Sequence, residues 1–157
     1  MNQLIFRNNN DWTGVITRLT LGLILFPHGA QKALGLFGGY GFNGTMGFFT
    51  GTLHLPWLIG FLVIVIEFVG SIAIVAGAGS RIWSALTIIL MIGIIFTSHI
   101  QNGFFMNWLG NQKGEGFEYH LLVIGLALAI FVNGSGKYCM DQLFLKGTHK
   151  LTGVSRK

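Results

Sequence analysis

The sequence predicts an all-α integral membrane protein, a single domain in which four membrane-spanning helices form a bundle. Only 10% of its 157 residues are charged and 52% are hydrophobic, with a mean hydropathy of +0.63. So few charges are too few for the surface of a water-soluble domain. The 24 glycines agree with this, because glycine lets membrane helices approach closely. Four segments also have the roughly 20 mostly apolar residues that cross a hydrocarbon core of about 30 Å.

The first span, residues 12–34, is the least regular of the four. It is interrupted by a proline and three polar side chains: Arg18, Pro27, His28 and Lys32. Pro27 has no backbone N–H and therefore frees the carbonyl of Leu23. We expect a kinked helix with irregular backbone beside His28.

The other three spans are more uniform. Residues 57–76 are apolar except at Glu67 and Ser71, and residues 82–99 follow after a turn too short for anything but an antiparallel neighbour. The fourth span covers residues 116–133, and a glycine-rich breaker separates it from a tail, residues 134–157.

A short helix is expected between the first two spans. Apolar residues recur there at spacings of 4, 3 and 4: Phe42, Met46, Phe49 and Leu53. This pattern predicts an amphipathic helix, external and either interfacial or re-entrant.

The lysines and arginines predict the orientation. Most lie at the two termini and in the second loop: Arg7, Arg81, Lys137, Lys146, Lys150, Arg156 and Lys157. Lys113 alone lies in a loop on the opposite side. Since positive residues are enriched in cytoplasmic loops, both termini are predicted to be cytoplasmic. The basic residues form no helical stripe, so the net charge of +5 does not indicate a nucleic-acid partner.

Glu67 is the candidate catalytic residue. It lies ten residues after Trp57, so its carboxyl is expected about 15 Å into the span, near the bilayer midplane. An ionisable group at that depth nearly always faces the bundle interior and has a partner or a proton. It either stabilises helix packing as a hydrogen-bonded acid or acts as a proton acceptor or ligand contact.

The first helix presents a stripe that is expected to meet Glu67. Positive residues mark its two ends and glycines lie between them: Arg18, Gly22, Leu25, Gly29 and Lys32. Two interpretations of Arg18 are open. Its guanidinium extends to the cytoplasmic headgroups, or it forms a buried ion pair with Glu67.

The remaining titratable residues cluster at the outer ends of the spans: His28, Lys32, His99, Glu115, Glu118 and His120. Aromatic residues flank them or approach from the first loop: Phe104, Phe105, Trp108, Phe117 and Tyr119, with Phe37, Tyr40 and Phe42. They form either an interfacial belt or a stacking platform for a flat ring. Glu118 and His120 are two residues apart and so do not share a helical face, which argues against a metal site. A metal site built across helices stays open, as does a b-type haem held between His28 and His99 or His120, although no spacing supports the haem specifically. Cys139, a single cysteine, excludes an internal thiol relay.

Several blocks of the chain resemble the DoxX family of small bacterial four-helix membrane proteins, which is related to the DoxD subunit of thiosulfate:quinone oxidoreductase. The blocks lie in family order: RLTLGLILFPHGAQKALGLFGGYG at 18–41, EFVG at 67–70, GAGSR at 77–81, NGFF at 102–105, EGFEYHLL at 115–122 and GSGKYCMD at 134–141. The family position usually filled by Ser is Cys139 here. The resemblance implies a bacterial inner-membrane location and a quinone-linked role, and it directs attention to Arg18, His28, Lys32, Glu67, Glu118 and His120.

The leading hypothesis is therefore a protein that binds a quinone, or a similar redox-active aromatic, near the outer ends of its helices. Glu67 exchanges protons, and the head-group contacts come from the candidate ligand-binding residues: Arg18, His28, Lys32, His99, Glu118 and His120. No flavin or Rossmann motif is visible, so electron transfer requires a redox partner protein. The alternatives are a small-solute transporter or a structural assembly subunit, with association into homo-oligomers left open.

Overall fold

The computed structural model describes residues 11–142, and within this range the protein is helical and has no strand. The helical class predicted from composition is confirmed. Five α-helices are described: α1 Trp12–Leu34, α2 Gly41–Gly47, α3 Trp57–Ala76, α4 Ser80–Ile94 and α5 Glu118–Asn133. The predictions for Arg7, Lys146, Lys150, Arg156, Lys157 and the tail beyond residue 142 lie outside the described residues.

Helix α1 has a well-defined beginning and end. The Asp11 side chain accepts a hydrogen bond from the backbone N–H of Gly14 at 2.9 Å, and Gly35 ends the helix with φ 73°. The helix is continuous through Pro27, so the expectation of irregular backbone beside His28 is wrong. The residues after Pro27 are held by packing, because Gly29 lies directly against the backbone of α3.

Helices α3 and α4 form an antiparallel hairpin around two glycines with positive φ, Gly77 (69°) and Gly79 (62°). Helix α4 continues through a π-helical turn, Ile95–His99, and a 3-10 turn, Ile100–Asn102. In the described part, Trp57–Ala76 and Ser80–Asn102 are long and apolar enough to cross a membrane. Helix α5 is apolar but shorter.

Helix α5 begins at Glu118, two residues later than the expected span. The preceding loop explains this start, because its carbonyls accept the N–H groups at this end. The N–H of Phe117 donates to the carbonyl of Gly103 at 3.2 Å, and that of Glu118 donates to Phe104 at 2.9 Å. These bonds join the loop to the N-terminus of the helix.

The four long helices in the described range pack against one another, α1 against α3 and α5, and α4 against α3 and α5. Glycines set the closest approach, between α1 and α3. A Cβ atom at Gly29 would lie 2.5 Å from backbone atoms of Glu67 and Phe68, and one at Gly22 would lie 2.9 Å from the carbonyl oxygen of Ser71. Small residues therefore bring these two backbones into contact, as in many membrane helix pairs.

The segment 134–142 folds back on the α3–α4 turn. The Asp141 carboxylate accepts hydrogen bonds from the N–H of Gly79 at 2.6 Å, the N–H of Ser80 at 3.4 Å and the hydroxyl of Ser135 at 2.8 Å. It therefore supplies the acceptor at the N-terminus of α4, where the helix dipole favours a negative charge.

Arg18 joins this segment to the helices. Its guanidinium donates to the carbonyl of Val75 at the end of α3, and to those of Lys137 at 3.1 Å and Tyr138 at 3.0 Å. Only 5% of the residue is exposed. Both sequence-based interpretations of Arg18 are therefore wrong: it neither extends outward nor pairs with Glu67. Two of the three carbonyls that accept its hydrogen bonds belong to segment 134–142, whose fold-back the sequence pattern did not indicate.

Candidate ligand-binding site

A cavity of about 510 Å³ lies at the end of the bundle where α1 ends and α5 begins. Its walls come from α1, α3, the extended α4 and α5. The turn after α2 covers it with Phe48 and Phe49. Pockets that bind small molecules typically measure roughly 300–1,000 Å³. The cavity therefore has the size of a small-molecule site.

The polar part of this cavity is centred on an ion pair between α1 and α3. Lys32 Nζ lies 2.5 Å from Glu67 Oε2, and the side chains are 26% and 5% exposed, respectively. The contact of Gly29 with the α3 backbone explains the register, because it places Lys32, one turn further along α1, beside Glu67. Glu67 is therefore paired with a residue of the predicted α1 stripe. The partner is Lys32, at one end of the stripe, and not Arg18, at the other.

Four rings continue from the ion pair along the cavity wall. The ring centroids of His28 and Tyr119 are 5.8 Å apart, those of Tyr119 and His120 are 5.4 Å apart, and those of His120 and His99 are 4.4 Å apart. The Nδ1 of His99 is hydrogen-bonded to the carbonyl oxygen of Glu115 at 2.7 Å, which fixes the orientation of that ring. We name these four residues the ring row.

Two polar atoms of the ring row have no hydrogen-bond partner in the part of the chain that the structure describes. The hydroxyl of Tyr119 and the Nδ1 of His120 are buried, and no described residue forms a hydrogen bond with either. Buried polar atoms in proteins are nearly always hydrogen-bonded, so each exception needs an explanation, such as a catalytic role or a bound water or ion. Both residues line the cavity, so these two groups are the candidates for hydrogen bonds to a bound molecule.

The rest of the wall is largely apolar and includes Leu25, Leu53, Val63 and Met91. An apolar wall with a few polar groups suits a flat, mostly hydrophobic molecule that carries one or two hydrogen-bonding atoms. The arrangement can hold such a ring and exchange protons with it through a tyrosine, imidazoles or a carboxylate.

The structure brings most of the sequence-predicted site residues to this cavity, namely His28, Lys32, Glu67, His99 and His120. Glu118 and Arg18 are not among its lining residues. The Oε1 of Glu118 accepts a hydrogen bond from the N–H of Met106 at 2.8 Å and so holds the loop before α5.

Tyr119 was assigned to the flanking aromatics by sequence reasoning, and its place between two imidazoles was missed. Its position in the sequence, directly before His120 at the beginning of an apolar helix, was the available signal. Within residues 11–142 no group of three or more histidine, cysteine or acidic side chains is arranged to hold a metal ion.

Residues 14–100, more than half of the chain, match the DoxX family model. The chain belongs to the DoxX family. The resemblance drawn from the sequence blocks is confirmed, and the family is membrane-associated. The matched region of this DoxX-family protein contains His28, Lys32, Glu67 and His99, whereas Tyr119 and His120 lie beyond it.

A curated relative supports the same assignment. The Bacillus subtilis (strain 168) protein named "Putative oxidoreductase CatD" is 30% identical over 133 residues, which cover 85% of this chain and 87% of the relative. No solved structure matches the chain.

Proposed function

We propose that this DoxX-family protein binds a quinone, or a similar small redox-active aromatic, in the cavity at the end of α1, and acts as an oxidoreductase or as a subunit of one. The observation that carries the proposal is a pair of buried polar atoms on the ring row, the hydroxyl of Tyr119 and the Nδ1 of His120, to which no described residue is hydrogen-bonded. The name of the curated relative supports an oxidoreductase role.

The chemistry of a quinone head group fits this wall. A quinone carries two carbonyl oxygens, which accept hydrogen bonds, on a flat apolar ring. The hydroxyl of Tyr119 can donate to one of them and an imidazole N–H to the other, while Phe48 and Phe49 cover the ring. Glu67, paired with Lys32, is the proposed proton-exchanging group. Electrons would come from a partner protein that carries a redox centre.

Binding of a short-chain quinone to purified protein in lipid nanodiscs tests the proposal. Tyr119→Phe removes only the hydroxyl, which has no hydrogen-bond partner to lose among residues 11–142. We expect it to weaken binding about three- to tenfold, which corresponds to one hydrogen bond of about 0.7–1.4 kcal/mol. Equilibrium binding is measured by calorimetry.

The matched control is Tyr40→Phe, since Tyr40 is 85% exposed and does not line the cavity. This variant should bind like the wild type. Equal affinity of the Tyr119→Phe protein and the wild type, or no quinone binding by the wild type at all, would contradict the proposal.

We further propose that α1, α3, the extended α4 and α5 all span the bacterial inner membrane, that α2 lies at its outer interface or re-enters it, and that both termini are cytoplasmic. Support comes from the positive residues around Arg81 and Lys137, which lie at the end of the bundle opposite the cavity. The cavity then faces the outer half of the membrane.

Single-cysteine labelling tests this topology, because Cys139 is the chain's only cysteine and can be replaced by serine. In that background, Asn111→Cys should react with a membrane-impermeant maleimide in intact spheroplasts. Lys157→Cys should react only after the membrane is permeabilised. The proposed orientation is wrong if the pattern is reversed, and the number of spans is wrong if both positions react from outside.

A further inference from the structure

The loop between the extended α4 and α5, residues 103–117, carries an exposed apolar patch. Its large apolar side chains lie close together in the sequence: Phe104, Phe105, Trp108 and Leu109. All four are exposed, and Trp108 and Leu109 are 85% and 86% exposed. An exposed apolar patch of this kind marks a surface that contacts a membrane or another protein.

The most exposed part of the patch lies on a hydrogen-bonded turn, residues 107–112, which we name the tip turn. The Asn107 side chain bonds both backbone groups of Gln112: its Oδ1 accepts the N–H at 3.0 Å, and its Nδ2 donates to the carbonyl at 3.2 Å. The N–H of Gly110 donates to the carbonyl of Asn107 at 3.1 Å. These bonds close the turn around Trp108 and Leu109, whose side chains the backbone therefore presents outward.

Two carboxylates join the tip turn to the cavity wall. The Oε2 of Glu115 accepts the N–H of Asn107 at 2.7 Å, and the Oε1 of Glu118 accepts the N–H of Met106 at 2.8 Å. Met106 and Glu115 both line the cavity. The apolar patch is therefore attached directly to the wall of the candidate site.

Helix α5 sets the level of this loop, because α4 is hydrogen-bonded to α5 near both ends. At one end Arg81 donates to the carbonyls of Phe131 at 2.7 Å and Val132 at 3.0 Å. At the other end the carbonyls of Gly103 and Phe104 accept the N–H groups at the beginning of α5. Helix α5 has 16 residues, so it is about 24 Å long, whereas a hydrocarbon core measures about 30 Å.

The residues after α5 indicate at which end the helix falls short. Tyr138 lies against Trp12, with ring centroids 6.0 Å apart, and the Nζ of Lys137 lies 5.2 Å from the centroid of the Trp12 ring. Tryptophan, tyrosine and lysine together are typical of a membrane–water interface. With this end at one interface, the beginning of α5 and the loop bonded to it lie roughly 6 Å inside the opposite boundary of the hydrocarbon.

We propose that the tip turn inserts Trp108 and Leu109 into the outer leaflet, at the boundary between acyl chains and headgroups. The inference rests on the proposed topology, in which α5 spans the membrane and begins on the outer side. Tryptophan suits this level, because its ring is apolar and its indole N–H donates to headgroup oxygens. The next residues of the loop are polar and exposed, and they remain in the water: Asn111, Gln112 and Lys113.

Tryptophan fluorescence in phosphatidylcholine nanodiscs tests this anchor. The chain has four tryptophans, and Trp12→Phe/Trp57→Phe/Trp83→Phe leaves Trp108 alone. When the lipid is brominated on the acyl chains near the headgroup, we expect this protein to lose most of its tryptophan emission, because bromine quenches a ring in contact with it. Iodide added to the water should quench the emission only weakly.

The matched control adds Trp108→Phe and Lys113→Trp to the same background, which moves the tryptophan to the polar side of the loop. Its emission should respond in the opposite way, strongly to iodide and weakly to brominated lipid. Size-exclusion chromatography and circular dichroism establish that both variants are folded. If Trp108 responded like this control, the anchor would be overturned and the patch would be left to a partner protein.

Spin labelling measures the same depth with all four tryptophans in place. In Cys139→Ser protein, a nitroxide at Leu109→Cys should collide more often with oxygen, which concentrates in lipid, than with a water-soluble nickel chelate. A nitroxide at Lys113→Cys should show the reverse preference. A preference for nickel at both positions would contradict the proposal.

Cysteine labelling in spheroplasts separates this inference from the proposed topology. External labelling of Asn111→Cys, together with a Trp108 that iodide quenches strongly, would refute the anchor alone. The reversed labelling pattern, together with a Trp108 that brominated lipid quenches, would refute the topology and leave an anchor in the inner leaflet.

Discussion

Replacing Gly29 by alanine is expected to separate α1 from α3 and to abolish ligand binding in the cavity. The added Cβ would lie 2.5 Å from the carbonyl carbon of Glu67 and from the N and Cα of Phe68. These are backbone atoms of a helix, which cannot rotate away as a side chain can. The two helices must therefore move apart, and Lys32 moves away from Glu67.

Overpacking a close contact typically costs about 1–3 kcal/mol, and more where only backbone can yield. We expect the Gly29→Ala protein in detergent to melt well below the wild type and to lose quinone binding. Gly125→Ala is the matched control, because Gly125 is an exposed glycine of α5 with nothing within 4 Å of the added Cβ. Its melting temperature should be unchanged or slightly higher, since alanine favours the helix. Equal melting of both variants would show that the α1–α3 contact is looser than described.

Replacing Lys32 by methionine is expected to destabilise the protein more than replacing Glu67 by glutamine. The Glu67 side chain is 5% exposed and that of Lys32 is 26% exposed. Loss of Lys32 therefore leaves the more buried charge without its partner, whereas loss of Glu67 leaves a cation on the less buried side chain. Breaking a fully buried pair costs about 3–5 kcal/mol, and the partial exposure of Lys32 places this pair at or below the lower end.

Thermal unfolding of the two single variants and the Lys32→Met/Glu67→Met double variant measures this difference. The double variant should be more stable than Lys32→Met alone, because no uncompensated carboxylate remains. Lys113→Met, at an exposed lysine of the loop before α5, should unfold with the wild type. If Glu67→Gln were the more damaging single change, the assigned burial of the pair would be wrong.

Much of the fold could be predicted from local patterns. Apolar length indicates the helices, the glycines at 77 and 79 indicate the tight hairpin, and Asp11 and Gly35 are recognisable capping residues. The beginning of the fourth span was less predictable. The start of α5 depends on hydrogen bonds from Phe117 and Glu118 to loop carbonyls distant in the chain.

The candidate site, like the fold, could be predicted only in part from the sequence. That Glu67 faces the interior, and that histidines gather at one end of the spans, follows from the cost of placing ionisable groups in lipid and from counting residues along each helix. The identity of the partner of Glu67 does not follow, because Arg18 and Lys32 both lie on the same stripe of α1. The role of Tyr119 does not follow either, since an aromatic residue at a helix end is usually interfacial.

The sequence by itself determined the class of the protein, its family and the residue types available for chemistry, because these depend on composition, local order and period. Only the tertiary structure decided which charge pairs with which. The contact of Gly29 with α3 brings Lys32 to Glu67, and the folded-back segment 134–142 occupies Arg18 with backbone carbonyls. Such pairings depend on the register between helices, which close packing sets and which no single helix carries in its own sequence.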